Sequence, residues 1–295
     1  MTIPTFFIIG APKCGTTALS SYLAQHPGVL FADPKEPKYF HTDFDERHRQ
    51  TLSPEEYDRC FAAERTSPPK AIGEGTVWYL YSREAVPNIL RLNPQAKFIV
   101  MLRNPVEVAY SLHAQFVYGG FEDIGDFEQA WRSQEKRRSG RAVPPLCPDH
   151  KLLLYGDVAA LGTQCERLFR IVDPAQVHVV LFDDFARDTR ASYAEVLEFL
   201  DLPDDGRARF EIENPSKIVT RPGTARLIHR LNVIKRRLGW RGSLGVWRAL
   251  SPWLAEPGPR PDMPPILREE LREYFAGEVA RLAELIEQDL SAWSR

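Results

Sequence analysis

The chain has 295 residues, of which 43% are hydrophobic and 26% charged, and its formal net charge is −2. This length can bury a substantial core, and the composition is ordinary for a globular protein. The charge balance argues against a dedicated nucleic-acid-binding protein, because such proteins usually carry a marked basic excess.

No membrane, disulfide or metal signal is found along the chain. The apolar run from Thr5 to Gly10 is too short for a secretory signal, and no apolar run reaches the ~18 residues that a membrane span needs. The four cysteines form no Cys-x-x-Cys pair, which favours free thiols in a reducing compartment. The histidines lack the short spacings of a zinc site. We therefore expect a cytoplasmic protein without a metal.

The first 27 residues predict half of a βαβ unit. Ile3–Ile9 is an apolar run with aromatic and β-branched residues, which is typical of a strand buried on both faces. Thr16 and Thr17 then begin a helix that ends before Pro27, because the residue preceding a proline avoids the α region. The turn Gly10–Thr17 joins the two elements.

Further strands and helices alternate along the chain. Ser53–Glu56 is a capping box with proline at the first helical position, so a helix is predicted to about Phe61. The hydrophobic pattern predicts strands at Ala71–Glu74, Lys97–Leu102 and Val177–Phe182, and helices after Asn104-Pro105, over 155–170 and over Thr189–Leu200.

The alternation predicts an α/β fold of three layers, with a mostly parallel central sheet flanked by helices. A Pro/Gly-rich loop at Glu256–Pro265 precedes a long helix that is predicted to end near Ser291. We expect one domain over residues 1–295, in which 224–295 form a helical extension.

The turn Gly10-Ala11-Pro12-Lys13-Cys14-Gly15-Thr16-Thr17 predicts an anion site. A helix N-terminus presents unpaired N–H groups and the positive end of the helix dipole, and glycines let the backbone approach a phosphate closely. Lys13 adds a cation, and the two threonines add hydroxyl donors. A Walker A loop places its lysine directly after the second glycine, whereas Lys13 lies two residues before Gly15. An incidental strand–helix turn is the alternative interpretation.

This turn resembles the 5′-phosphosulfate loop of sulfotransferases that use 3′-phosphoadenosine 5′-phosphosulfate (PAPS). Arg103 at a strand end, with Ser111 eight residues later, resembles the 3′-phosphate motif of the same family. The resemblance implies a P-loop-like fold and PAPS as co-substrate, with 3′-phosphoadenosine 5′-phosphate (PAP) as product and no metal requirement. The nucleotide-binding residues that it implies are Pro12, Lys13, Cys14, Gly15, Thr16, Thr17, Arg103 and Ser111.

The segment Lys35-Glu36-Pro37-Lys38-Tyr39-Phe40 resembles the KExxFF segment of heparan sulfate-type sulfotransferases, whose glutamate is the proposed general base. The resemblance implies that Glu36 is the base and that Lys13 stabilises the departing PAP. Lys38 stands where the glycan enzymes often carry histidine, so their acceptor contacts are not implied. Glu74, in a stretch that resembles the family's GExxxxY, is the alternative base. Each glutamate could instead be a turn or surface carboxylate.

A later loop contains two further candidates for nucleotide binding. Arg221 matches one end of the basic loop that closes the nucleotide site in related enzymes, although Pro222 replaces its lysine, and Lys217 lies nearby. An ordinary solvated loop is the alternative. Residues 221–248 contain eight Lys or Arg and no acid, and we favour a core-packed helix with a solvated basic face over contact with a membrane surface.

The resulting hypothesis is transfer of a sulfuryl group from PAPS to a hydroxyl or amine. The acceptor would be a small molecule, a natural product, a lipid or a saccharide. A P-loop kinase is one alternative, which the missing GK[ST] sequence and the spacing of Arg103 and Ser111 oppose. A non-catalytic nucleotide-binding protein is the other, which the joint presence of Lys13, Glu36 and the Arg103 motif opposes.

Overall fold

The computed structural model describes residues 1–49, 51–63, 67–211 and 262–294, and the backbone of 217–219 and 255–257. Within these residues, five parallel strands form a central sheet in the order β2-β3-β1-β4-β5. The strands are β1 (Phe6–Ile8), β2 (Val29–Phe31), β3 (Ala71–Glu74), β4 (Lys97–Leu102) and β5 (Val177–Leu181). The predicted parallel α/β sheet is therefore confirmed.

Strand β1 lies at the centre of the sheet and is buried on both faces, as its apolar run predicts. Phe6 pairs with Gly73 of β3 on one side and with Lys97 of β4 on the other. The connection from the carboxyl end of β1 runs to β2 on one side of the sheet, and the connection from the neighbouring β4 runs to β5 on the other side, so the two diverge between β1 and β4. In parallel α/β sheets, ligands bind at such a switch point.

Helices cover both faces of the sheet. They are α1 (Thr16–Ala24), α2 (Pro54–Arg59), α3 (Ala85–Leu92), α4 (Pro105–Gly119), α5 (Phe127–Arg132), α6 (Gln134–Arg138), α7 (Tyr155–Val158), α8 (Leu161–Phe169), α9 (Phe182–Arg187), α10 (Thr189–Phe199) and α11 (Pro265–Ile286). Short 3-10 turns lie at His150–Leu153, Pro174–Gln176 and Ser291–Ser294. None of the helices in the described part of the chain is long and apolar enough to cross a membrane.

The helix predicted over 155–170 is two helices, α7 and α8. The break lies at Ala160, whose ψ of 64° is outside the α region. Beyond the break, Gly162 packs so closely on α11 that an added Cβ would lie 2.3 Å from the carbonyl oxygen of Glu278. The hydrophobic spacing of the sequence does not show this change of direction, because the close packing of Gly162 on α11 depends on residues that are distant along the chain.

The predicted long helix after residue 265 is confirmed as α11, but it ends earlier than Ser291. Glu287 adopts a left-handed conformation with φ of 53° and ends the helix at Ile286. Ala255–Pro257 pairs antiparallel with Lys217–Val219, so part of the predicted loop at 256–265 is a short strand. The basic helix predicted within 221–248 lies outside the described residues.

Candidate active site

The turn between β1 and α1 has the conformation of an anion-binding loop. Gly15 is the N-cap of α1 with φ of 85°, and Lys13 also has a positive φ, of 69°. Gly10 is required by close approach, since a Cβ there would lie 2.1 Å from the backbone nitrogen of Met101 in β4. The first intrahelical bonds run from Ala18 and Leu19 N–H to the Gly15 carbonyl, so the preceding N–H groups are at the positive end of the helix.

Side chains of this loop divide between the core and the open edge. The Cys14 thiol is fully buried, and burial raises its pKa well above the usual range, so the side chain is a neutral core group and only its backbone could contact a ligand. Pro12 and Thr16 are also buried, whereas Thr17 is exposed. The predicted contribution of Cys14 is therefore limited to its backbone N–H, and that of Pro12, which has no N–H, to the shape of the loop.

The segment after β2 brings two lysines and Glu36 to this loop. Lys35 Nζ donates to Thr16 Oγ1 at 3.1 Å and lies 3.5 Å from Glu36 Oε1. Lys38 Nζ lies 3.9 Å from Glu36 Oε2. Burial lowers the pKa of both lysines, and the Glu36 carboxylate opposes that shift. The Glu36 side chain is 26% exposed, so its carboxylate is accessible while held between two ammonium groups.

Glu74, at the end of β3, is fully buried, and its carboxylate accepts hydrogen bonds from three hydroxyl groups. Tyr57 and Tyr79 donate to Oε1 at 2.8 and 3.3 Å, and Thr76 donates to Oε2 at 2.7 Å. Burial raises the pKa of Glu74 to about 7, against the lowering effect of these hydrogen bonds. The side chain has no exposed surface.

Residues around Glu74 hydrogen-bond to the backbone of the segment that carries Glu36, Lys35–Phe40. The Tyr79 hydroxyl accepts hydrogen bonds from the N–H groups of Tyr39 and Phe40 at 3.0 and 3.2 Å. The Gly75 N–H donates to the Lys35 carbonyl at 3.0 Å. The two motifs that the sequence singles out, at residues 35–40 and 73–79, therefore form one hydrogen-bonded unit.

Arg103 reaches the Gly10–Thr17 loop from the end of β4. Its Nη1 donates to the carbonyl oxygen of Lys13 at 3.3 Å, and its guanidinium lies 4.5 Å from the ring centroid of Phe182. The Asn104 side chain accepts from the Val106 N–H and caps α4, the helix predicted after Asn104-Pro105. Ser111 is on α4 and is buried, with 7% exposure.

Two predicted nucleotide-binding residues cannot be assigned to this cluster. Lys217 is described only as backbone, in the short strand paired with 255–257, and Arg221 lies outside the described residues. Across the part of the chain that the structure describes, no three His, Cys, Asp or Glu side chains are grouped to hold a metal ion. The four cysteines, Cys14, Cys60, Cys147 and Cys165, are free and buried.

Three contributors to the site were not predicted in these roles. Lys35 was noted only as part of a motif, yet its ammonium group contacts the loop. Phe182, whose ring lies 3.1 Å from the position of a Cβ on Gly15, supports both the loop and Arg103. Glu107 lies 3.9 Å from Arg103. The position of Lys35 beside Glu36 is a usable sequence signal, whereas nothing local distinguishes Phe182 or Glu107 from other residues at element ends.

Comparison with known proteins is consistent with this geometry. The family model described as a sulfotransferase domain matches residues 4–222. A solved sulfotransferase from Alicyclobacillus acidocaldarius is similar over 100% of both chains, with 28% identity and a TM-score of 0.69.

Curated relatives include the membrane-associated sulfotransferase kil1 of Dictyostelium discoideum, 32% identical over 38% of this chain and 22% of its own length. The human bifunctional heparan sulfate N-deacetylase/N-sulfotransferase 3 is 31% identical over 37% of this chain and 12% of its own. Mouse carbohydrate sulfotransferase 15 is 24% identical over 99% of this chain and 54% of its own. The chain thus spans about half or less of the length of these relatives.

Proposed function

The chain belongs to the sulfotransferase domain family, and we propose that it transfers a sulfuryl group from PAPS to a hydroxyl or amine of an acceptor. The contact between Arg103 and the Lys13 carbonyl carries this proposal. It brings the arginine expected at the 3′-phosphate of the nucleotide to the loop expected at its 5′-phosphosulfate. ATP has no 3′-phosphate, so this pairing favours PAPS over a kinase substrate.

The donor would bind along the carboxyl ends of β1 and β4. The N–H groups that precede the first turn of α1 would hold the 5′-phosphosulfate, with Lys13 and Lys35 as cations beside it. Arg103 would fork onto the 3′-phosphate, assisted by Ser111. Phe182 keeps the guanidinium in place through a cation–π contact.

In the reaction, the acceptor oxygen or nitrogen attacks sulfur in line with the bridging oxygen of PAPS. A bond from the acceptor to sulfur forms while the bond from sulfur to the bridging oxygen breaks, and PAP leaves with the electron pair. Glu36 takes the acceptor proton. Lys13 and Lys35 stabilise the negative charge that develops on the bridging oxygen.

The burial of the two candidate bases supports Glu36 in that role. The Glu36 side chain is partly exposed and next to the loop. Glu74 has no exposed surface and already accepts three hydroxyl hydrogen bonds, so an acceptor would have to displace one of them to reach it. We assign Glu74 to holding the Glu36 segment in position.

We propose a saccharide as the first acceptor class to test. Carbohydrate sulfotransferase 15 and the heparan sulfate enzymes are similar to this chain, and their names specify saccharides. Small hydroxylated molecules and lipid head groups remain the other arms of the test.

Thermal unfolding with PAP tests the donor assignment. A ligand that binds only the folded state stabilises it by about 2.7 kcal/mol when present at 100 times its Kd. PAP should therefore raise the melting temperature, whereas ATP with Mg²⁺ should not. Stabilisation by ATP with Mg²⁺ alone would overturn the proposal in favour of a kinase.

Turnover with labelled PAPS tests the reaction. Incubation with saccharides, small alcohols, amines and lipid head groups should give one acceptor class whose mass increases by a sulfuryl group. Lys13→Ala should abolish that product, while Lys70→Ala, at an exposed position, should not. PAP binding without transfer to any of these acceptor classes would favour the non-catalytic alternative.

A further inference from the structure

The last described segment of the chain packs beside the strand ends that carry Arg103 and Phe182. Trp293 is buried, with 5% exposure, and its indole N–H donates to Asp183 Oδ2 at 2.8 Å. Its carbonyl oxygen accepts from Asn104 Nδ2 at 3.0 Å. Asn104 directly follows Arg103 and Asp183 directly follows Phe182. Trp293 therefore contacts the side chains of the two residues that directly follow Arg103 and Phe182.

Helix α11 makes a second connection to the same arginine. Arg268 Nη1 donates to Glu107 Oε1 at 2.7 Å. Glu107 is in the first turn of α4, and its Oε2 lies 3.9 Å from Arg103 Nη2. The Glu107 carboxylate thus lies between two guanidinium groups, with a short hydrogen bond to Arg268 and a longer contact with Arg103.

This arrangement decides how available Arg103 is to a phosphate. A carboxylate offers a guanidinium the same bidentate acceptor geometry as a phosphate, so the two compete. The short bond to Arg268 engages Glu107 from the other side. Without Arg268, Glu107 would keep Arg103 as its ion-pair partner among the described residues, and that pair could close at the expense of phosphate binding.

We propose that Arg268 and Trp293 are positioning residues for the 3′-phosphate of the nucleotide. Arg268 keeps Glu107 from pairing with Arg103, and Trp293 holds the side chains of Asn104 and Asp183, which directly follow Arg103 and Phe182. Both residues lie outside the stretch 4–222 that the family model matches. The inference rests on the proposed function, in which Arg103 binds the 3′-phosphate.

The affinity of PAP for variants of the full chain, measured by calorimetry, tests the role of Arg268. Arg268→Ala should weaken PAP binding about tenfold, because Glu107 then competes for Arg103. Arg272→Ala is the matched control, since Arg272 is one turn further along α11 and pairs with Glu269 of the same helix at 3.1 Å. It should bind PAP as the wild type does.

A compensating substitution separates charge competition from a loss of packing. Adding Glu107→Gln to Arg268→Ala removes the competing charge and should restore the Kd of PAP to within about threefold of wild type. Adenosine 5′-monophosphate lacks the 3′-phosphate, so its affinity should change less than about twofold in either variant. A double variant as weak as Arg268→Ala would overturn the competition argument, as would equal Kd values for Arg268→Ala and Arg272→Ala.

Trp293→Phe keeps a ring in the core and removes the N–H that Asp183 accepts. It should weaken the binding of PAP two- to fivefold, on the order expected for the loss of one partly exposed hydrogen bond. The affinity for adenosine 5′-monophosphate should not change. Equal losses for both nucleotides would overturn the positioning role. Failure of the wild type to bind PAP, or an Arg103→Ala variant that binds it normally, would instead contradict the proposed function itself.

Discussion

The ammonium group of Lys35 donates a hydrogen bond to the Thr16 hydroxyl at 3.1 Å, although 19 residues separate the two along the chain. The bond joins the Glu36 segment to the first turn of α1. It therefore places the proposed base, a second cation and the proposed phosphate-binding loop, Gly10–Thr17, within one cluster. Lys35 also lies 3.5 Å from Glu36, so its ammonium group contacts both the proposed base and the loop proposed to hold the leaving group.

Lys35→Ala should lower kcat about 10- to 100-fold, because one of the two cations that we assign to the leaving group is lost. The Kd of PAP should change less than kcat, since Lys13 and the N–H groups of the loop remain. Steady-state kinetics with calorimetry for PAP measures both quantities. Lys70→Ala serves as the control, and a kcat equal to that of this control would show that Lys35 has no part in the transfer.

Glu36→Gln should reduce turnover at least about 100-fold and leave PAP binding near normal, because the residue is assigned to proton removal and not to the nucleotide. Glu74→Gln should keep measurable turnover. Glu46→Gln, at an exposed position nearby, is the control. A fully active Glu36→Gln together with an inactive Glu74→Gln would show that the base assignment is wrong.

The raised pKa of Glu74 predicts a pH-dependent stability. The folded-state pKa of about 7 lies above the ordinary value of 4.5, so between these pH values the folded state holds a proton that the unfolded state has lost. The stabilisation is complete below pH 4.5 and is lost as pH rises to about 7. It amounts to about 3 kcal/mol in the free energy of unfolding.

Urea unfolding of the wild type and Glu74→Gln from pH 4.5 to 7.5 measures this contribution. As pH rises, the wild type should lose stability relative to Glu74→Gln, because only the wild type carries the titrating carboxyl group. Glu84→Gln, at an exposed position, should show no such trend. A constant difference for Glu74→Gln would mean that folding does not raise the pKa of this carboxyl group.

His41 predicts the opposite dependence. Burial lowers its pKa from 6.5 to about 2, so the unfolded state binds a proton below pH 6.5 that the folded state excludes. Stability is therefore present above pH 6.5 and is lost as pH falls, by about 2 kcal/mol at pH 5. Both ring nitrogens lack a hydrogen-bond partner among the described residues.

His41→Phe should remove this loss and fit an aromatic site, since the His41 ring lies 4.8 Å from the ring of Phe44. Denaturant unfolding at pH 7.5 and pH 5 should show a smaller loss on acidification for His41→Phe than for the wild type. The control is His150→Phe, whose native side chain is 40% exposed. The same loss in His41→Phe and the wild type would contradict the burial argument.

Gly15→Ala should cost about 1–2 kcal/mol of stability, because φ of 85° strains a residue with a side chain. It should also weaken PAP binding, since the new Cβ would lie 3.1 Å from the Phe182 ring. Gly140→Ala isolates the strain: its φ is 73° and no described atom lies within 4 Å of an added Cβ. Unfolding and PAP titration of both variants should show similar stability losses and impaired binding only for Gly15→Ala.

Much of the parallel sheet could be predicted from the sequence. Strands β3 and β4 have the predicted bounds, and β1 and β5 differ only at their ends, because continuous apolar runs between turn residues are a local signal. Strand β2, Val29–Phe31, was not predicted, since three residues carry too little pattern. The single helix predicted over 155–170 was wrong, because the break at Ala160 depends on how the two halves pack.

The candidate site divides in the same way. The sequence by itself determined the loop conformation that an anion site needs, since Lys13, Gly15 and the threonines lie within a few consecutive residues. Only the tertiary structure decided which glutamate is accessible: Glu36 and Glu74 both follow recognisable motifs, but one is partly exposed and the other fully buried. Burial is a property of the packed chain, because it depends on side chains that are distant in sequence, and no local pattern of residues encodes it.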